Sequence, residues 1–157
     1  MLPVSIATTA AVAICGRIEE GNSVAPLNAI SHIPWGDEAA QQEDASLKYT
    51  ATGTLLNTLA MGSWSLVYEA VFGKAVRQGN KSTAILGGIA ISGLAYVTDY
   101  YVVPERLTPG FEKRLSSASM LAVFSTLALS LPLISLLEHS SVKRSYESIR
   151  LLRSKSR

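Results

Sequence analysis

Cysteine is all but missing from this chain. Cys15 stands alone, so no internal disulfide can form and no cysteine-ligated zinc or iron–sulfur centre can be assembled. Histidine is almost as scarce, with only His32 and His139. Charge is thin as well: Asp, Glu, Lys and Arg make up 17% of the residues, against roughly 25% in ordinary soluble chains. The shortfall is uneven. Long stretches carry almost no charge, and the charges gather in short clusters between them, which is the pattern of a membrane protein and not of a soluble one with a large core. GxSxG, HExxH, phosphate-loop and CxxC signatures do not occur, nor does any internal repeat or low-complexity tract. The chain is therefore read as non-catalytic, with no cofactor and no metal.

What is present is four apolar stretches. Residues 115–137, LSSASMLAVFSTLALSLPLISLL, contain no ionisable side chain. They exceed the roughly 20 helical residues that cross a bilayer core. Pro132 lies near the end, where a kink is tolerable if neighbours satisfy the freed carbonyl. Residues 82–103 contain a single charge, Asp99, beside Tyr96, Tyr100 and Tyr101, an aromatic belt of the kind found at membrane interfaces. Pro104 then closes the segment. Residues 49–73 carry only Glu69, near their end. Residues 1–16 are short for a span, with a cleaved signal peptide or a truncated helix as the alternatives. The basic start of a signal peptide is absent, and Ile14 before Cys15 does not suit a lipoprotein site.

The connections set the orientation. Lys74, Arg77 and Lys81 lie in the second connection without an acid, and the tail carries Lys143, Arg144, Arg150, Arg153, Lys155 and Arg157 against Glu138 and Glu147. Both are cytoplasmic by the positive-inside rule. They are separated by two spans, so the rule and the span count agree. The acidic connection 17–48 and the connection 104–114 then lie outside, and both termini inside. The expected fold is an all-α membrane protein: a four-helix transmembrane bundle over residues 1–137, with spans at about 1–16, 49–73, 82–103 and 115–137. Residues 138–157 form a cytoplasmic basic tail. The expected location is a bacterial inner membrane.

Lipid tails are as apolar as leucine, so small residues that allow close approach drive helix packing. Thr54, Thr58 and Gly62 form one such ridge, and Ala84, Gly88 and Ser92 another. Ionisable groups within spans are functional candidates, which singles out Glu69 and Asp99. Glu69 is expected near the cytoplasmic end within reach of Lys74 and Arg77, and Asp99 near the outer end, level with Lys48 and Tyr49. Asn57 is the one strongly polar side chain midway. Pairing with interfacial cations is the bland alternative to a proton or ion path.

In the outer connection, Leu27, Ile30 and Ile33 recur every three residues after Pro26, which suits a helix start. Pro34 stops the pattern, Trp35 reads as an interfacial anchor and Gly36 as a turn. Asp37 and Glu38 open a polar helical stretch, DEAAQQEDASLK, with acids where the helix dipole favours them. The expectation is a short helix lying on the membrane surface, followed by a solvated lead-in. A metal site at His32, Asp37 and Glu38 needs help from Asp99, Glu105 or Glu112, and no metal is assigned. Pro109–Gly110 signals a tight connection, with Glu105 and Arg106 free to pair with the acidic loop. The candidate polar or binding face is therefore His32, Trp35, Asp37, Glu38, Asp99, Glu105 and Arg106. In the tail, Val142, Tyr146, Ile149 and Leu152 form a stripe beside Lys143, Arg144, Arg150 and Arg153, a basic amphipathic helix for the anionic leaflet. Without interleaved aromatics, nucleic acid is not the expected partner. Membrane lipids are, together with other membrane proteins or further copies of the chain.

The runs PLNAISHIPWGDEAA and AYVTDYYVVPERLTPGFEKRLS resemble a family of small polytopic bacterial inner-membrane proteins of unassigned activity, over residues 16–130. The resemblance implies a polytopic membrane protein with both runs on one face. In that family a second histidine can follow the position of Asn57, and the position of Ile33 is often larger. Thr58 stands here instead, which speaks against a histidine site. The combined expectation is an accessory or packing component within the membrane. A small transporter or channel component using Asp99 and Glu69 is the alternative, and a membrane-embedded enzyme with a polar outer site comes third.

Overall fold

Stretches rich in Leu, Ala, Ile and Val with few charges satisfy their backbone internally, and each of the four becomes a helix. The computed structural model describes the backbone of residues 2–155 and the side chains of residues 2–141. In chain order the helices are α1 (Leu2–Glu20), α2 (Ala25–Ile30), α3 (His32–Trp35), α4 (Thr52–Arg77), α5 (Lys81–Val97) and α6 (Ser117–Lys155), and no strand occurs among the described residues. The protein is all-α. Helix α1 packs on α4 and α6, α5 packs on the same two, and α4 meets α6 across the centre. The result is a four-helix bundle with two long connections at one end, here the loop end, and one tight turn at the other.

Local chemistry sets the boundaries. At the tight turn, Gly79 takes a left-handed φ of 73°, which frees Asn80 N to reach Ala75 O at 2.9 Å and closes α4 as a Schellman-type end. The Asn80 side chain then accepts from Thr83 N at 3.1 Å and caps α5. At the loop end, π-helical turns at Leu47–Ala51 and Thr98–Val102 lead into α4 and out of α5.

Three segments are long and apolar enough to cross a membrane, by length and composition: Leu2–Glu20, Lys81–Val102 and Ser117–Ser141. Helix α4 is not among them, because Asn57, Ser63, Trp64, Ser65, Tyr68 and Glu69 lower its mean hydropathy. The first helix runs to Glu20, beyond the expected residue 16, and α6 continues without a break into the basic tail. The side chains of that tail, Lys143, Arg144, Arg150 and Arg153 included, lie outside the described residues.

The seam between α5 and α6 shows how small residues work. Proline 132 has no N–H, so the carbonyl of Ala128, four residues back, loses its helical partner. Gly88 lies against that carbonyl and against the proline ring, and a Cβ there would meet Pro132 Cδ at 2.7 Å as well as the Ala128 oxygen. One turn on, Ser92 Oγ donates to Phe124 O at 2.6 Å. On the other side of α5, the buried Tyr68 hydroxyl donates to Ala84 O at 3.0 Å. Thus Ala84, Gly88 and Ser92 form a packed ridge. The ridge expected on α4 does not form: a Cβ at Gly62 would meet nothing within 4 Å, and Thr54 and Thr58 line a shallow surface depression with Leu47 and Leu55. Helix α4 instead buries Gly53, Asn57, Ser65, Tyr68, Gly73 and Val76.

Residues 25–30 depart most from expectation. All six residues of α2 are buried, so this helix is not laid on a surface. It plugs the loop end between α1, α4 and the turn at Phe111–Lys113. The stretch after Gly36 is not a polar helix either. A 3₁₀ turn covers Asp37–Gln41 and an irregular strap follows to Ser46.

Candidate functional site

The polar groups settle in four places, and the residues expected on one polar face are divided among three of them. The first is a pocket of about 250 Å³ lined by His32, Gly36, Asp37, Glu105, Arg106 and Lys113. Helix α3 supplies His32, whose buried ring places Nε2 2.9 Å from the carbonyl of Thr108. A carbonyl only accepts, so Nε2 carries a proton. Gly110, at φ 91°, lets the 104–114 connection close over that imidazole, with His32 Cδ2 2.5 Å from where a Cβ would stand. Lys113 Nζ lies 2.5 Å from Asp37 Oδ1. The hydrogen bond and charge of Lys113 hold the Asp37 carboxyl below its usual range. Lys113 was not singled out by the sequence, since nothing local ties it to a residue so far upstream.

The second place is an exposed cluster of Trp35, Glu38, Lys48 and Tyr49. The Tyr49 hydroxyl donates to Glu38 at 2.9 Å. Lys48 Nζ donates to the Tyr49 oxygen at 2.8 Å and lies 3.1 Å from Glu38. It also sits 5.2 Å from the centre of the Trp35 ring, a cation–π contact. The Tyr49 hydrogen bond, then Lys48, lowers the Glu38 pKa, and Tyr49 and Glu38 raise that of Lys48. Asp99 was expected beside Lys48 and Tyr49, but Glu38 occupies that place.

Asp99 lies elsewhere, on the third site. It is half-buried and lines a partly open cavity of about 90 Å³ with Thr8, Asn57, Ile30, Ile33, Leu56, Met61, Leu107, Phe111 and Phe124, among others. A signal for this was present. Asp99 continues the buried stripe Ala84, Gly88, Ser92 and Ala95 at helical spacing. Asn57 is 5% exposed, and its Nδ2 donates to Thr9 Oγ1 at 2.9 Å and more weakly to Thr8 Oγ1 at 3.5 Å.

The fourth place is the opposite end. Glu69 accepts a short hydrogen bond from Ser135 Oγ, and its other oxygen is 3.7 Å from His139 Nε2. Its partners among the described residues are therefore on α6, and no ion pair joins it to the expected Lys74 or Arg77.

Two polar devices escaped the sequence reading. Asn28, 0% exposed, donates from Nδ2 to Gln42 O and Asp44 O, both at 3.0 Å, and accepts from Thr50 Oγ1 at 2.6 Å. It fastens the strap 42–46 over the loop end. Glu19 accepts from Ser116 N at 2.9 Å, from Ser119 Oγ at 2.7 Å and from Ser116 Oγ, capping α6 from the end of α1. Arg114 beside it lies 2.9 Å from Glu20 and 3.4 Å from Glu43. Among the described residues no three of His, Cys, Asp and Glu converge as metal ligands. Outside the bundle, an uncharged groove of about 590 Å³ runs between α5 and α6, from Ile89 and Gly93 to Ser125 and Leu129. Comparison with family models, with curated proteins and with solved structures finds no match to this chain.

Proposed function

We propose that this chain is a four-span integral membrane protein of a bacterial inner membrane, with both termini cytoplasmic, acting as a non-catalytic accessory or packing component there. One observation carries the reading: every long helix turns large apolar side chains outward at helical spacing. Helix α1 exposes Ile6, Ile14 and Ile18; α5 exposes Ile85, Leu86 and Ile89; α6 exposes Leu129, Leu133 and Leu137. Helix α4, though its mean hydropathy is lower, exposes Leu55, Leu59, Leu66 and Val71 in the same manner. Its polar residues Asn57, Ser65 and Tyr68 face inward. A lateral surface of large apolar side chains suits hydrocarbon as solvent. Internal hydrogen bonds on Asn28, His32 and Glu19 support a structural part for those groups, and the resemblance to small polytopic inner-membrane proteins supports the setting.

The orientation rests on charge. Lys74, Arg77 and Lys81 lie at the tight-turn end, and the strap with Asp37, Glu38, Glu43 and Asp44 at the loop end. The test is labelling of single cysteines, in a Cys15→Ser background, by a reagent that does not cross membranes. Gln41→Cys in intact spheroplasts is expected to react, and Gln78→Cys only after lysis. The reverse pattern sinks the orientation, and reaction of both without lysis sinks the four-span threading. Extraction in mild detergent, followed by identification of co-purifying membrane proteins, tests the accessory role. Isolation of the chain alone with full activity as a carrier ends it. A second reading, a small transporter component, is favoured by the placing of Asp99 in a partly open cavity, and loss of flux in vesicles on Asp99→Asn supports it.

A further inference from the structure

The partly open cavity at the loop end is built for hydrogen-bond donors alone. Three polar side chains reach it, from three different helical segments: Thr8, Asn57 and Asp99. Each has spent or lacks its donors. The Thr8 hydroxyl donates to Val4 O and Ser5 O at 3.1 Å. The Asn57 amide nitrogen is directed at Thr9 and Thr8, which leaves Oδ1 as an acceptor. Asp99, when ionised, has acceptors only, and no hydrogen bond or ion pair engages it among the described residues. The neighbouring Tyr100 hydroxyl is turned to Glu112 at 3.2 Å, so it gives Asp99 nothing.

Among the described residues, no ion pair joins a cation of this end to the carboxylate, and Arg17 Nη1 donates to Gly21 O. Lys48 is held by Glu38 and Tyr49, Lys113 by Asp37, and Arg114 by Glu20 and Glu43. Arg106 lines the separate pocket beside His32. The remaining wall is apolar and includes the aromatic rings of Phe111 and Phe124. Four side-chain oxygens, one each from Thr8 and Asn57 and two from Asp99, are fewer than the roughly six or more that a bare calcium ion takes, and water brings donors and acceptors to a wall that answers only the donors. A volume of about 90 Å³ is the share of about three liquid waters, the size of a short aliphatic chain. Two lining residues, Ala60 and Leu107, are exposed, which gives a way in.

We propose that this cavity is a binding site for a small aliphatic ammonium ion, with its N–H groups on the Asp99 carboxylate and Asn57 Oδ1 and its alkyl body against Leu56, Met61, Phe111 and Phe124. The site goes beyond the packing role and does not depend on it. Binding of n-butylammonium chloride to the purified full chain, followed by calorimetry in detergent, tests it. Butylammonium binds saturably, and n-butanol, equal in size but neutral, does not. Asp99→Asn weakens binding roughly 30-fold, the expected result of removing one member of a desolvated charge pair. Ala60→Leu, which keeps every charge and narrows the wall, weakens butylammonium far more than methylammonium, and so gives an answer even if Asp99→Asn does not fold. The proposal is overturned by the absence of saturable butylammonium binding, by equal binding of butanol, by sodium displacing the amine stoichiometrically, or by Ala60→Leu leaving butylammonium affinity unchanged.

Discussion

Replacing Gly88 with alanine adds one methyl group at the tightest point of the α5–α6 seam. The new Cβ would stand 2.7 Å from Pro132 Cδ and 3.1 Å from Pro132 Cγ, and closer still to the Ala128 carbonyl oxygen. Neither obstacle is a flexible tip. One is a ring fixed within a helix, the other backbone, so the two helices must separate by a good part of an ångström. Separation also stretches the Ser92–Phe124 hydrogen bond, 2.6 Å long. Overpacking of this kind costs about 1–3 kcal/mol, and a strained hydrogen bond adds about 0.5–1.5 kcal/mol. Better helix propensity returns about 1 kcal/mol. The net expectation is a loss of about 0.5–3.5 kcal/mol. Gly93 is the internal control. It lies on the same helix, five residues on, and a Cβ there meets nothing within 4 Å, so Gly93→Ala is expected to be neutral or stabilising by up to about 1 kcal/mol. Unfolding of both variants by SDS titration from mild-detergent micelles, followed by far-UV circular dichroism, gives the comparison. Equal midpoints for Gly88→Ala and Gly93→Ala would refute the claim that backbone-to-backbone approach at Gly88 holds these helices together.

Asn28→Ala removes three hydrogen bonds from a fully buried amide and leaves the carbonyls of Gln42 and Asp44 without their partner. A loss of about 1–3 kcal/mol is expected, with faster proteolysis in the strap 42–46 as the local sign, and an unchanged cleavage pattern counts against the hub. Acid acts at the same end. The Asp37 pKa is lowered from its ordinary 3.8 by Lys113, and that of Glu38 from 4.5 by Tyr49 and then Lys48. A carboxylate with a depressed folded pKa stabilises above its unfolded value, and that stabilisation is lost as pH falls through the folded value. Hydrogen exchange between residues 36 and 50 should therefore be flat from neutral pH down to about the ordinary carboxyl values and quicken, beyond its intrinsic pH dependence, only below them. Quickening near pH 6 would point to a group other than these two.

How much of this was written in the chain? The long helices were legible because charge-free runs of apolar residues admit one reading at that length. The ridge Ala84–Gly88–Ser92 was legible too, since small residues at four-residue spacing have few other uses. The same spacing misled at Thr54–Thr58–Gly62. Which face of an amphipathically bland helix turns inward depends on its neighbours, and on α4 it is the face of Gly53 and Asn57. Gly53 does so because the backbone of α2 runs directly against it, at the Leu27 carbonyl, a contact no local pattern encodes.

Helix α2 is the more instructive failure. Leu27, Ile30 and Ile33 read as one greasy stripe, the pattern of a short helix lying on the membrane surface. In the fold Asn28 is as buried as the apolar residues, because its partners come from the strap 42–46 and from Thr50, while Ser31 Oγ donates to the Asn28 carbonyl at 2.7 Å. An asparagine in an apolar run is ambiguous from sequence. It marks an exposed face or a buried hub, and only the partner decides. Asp99 poses the same ambiguity with the opposite outcome. Its position on the buried stripe was readable, yet the fold supplies Asn28 with a complete set of partners and gives Asp99 none among the described residues. A half-buried carboxylate without a partner is costly in an apolar setting, and a bound cation would offset that cost. The difference between those two residues is what separates the structural polar groups of this bundle from the one that points to a ligand.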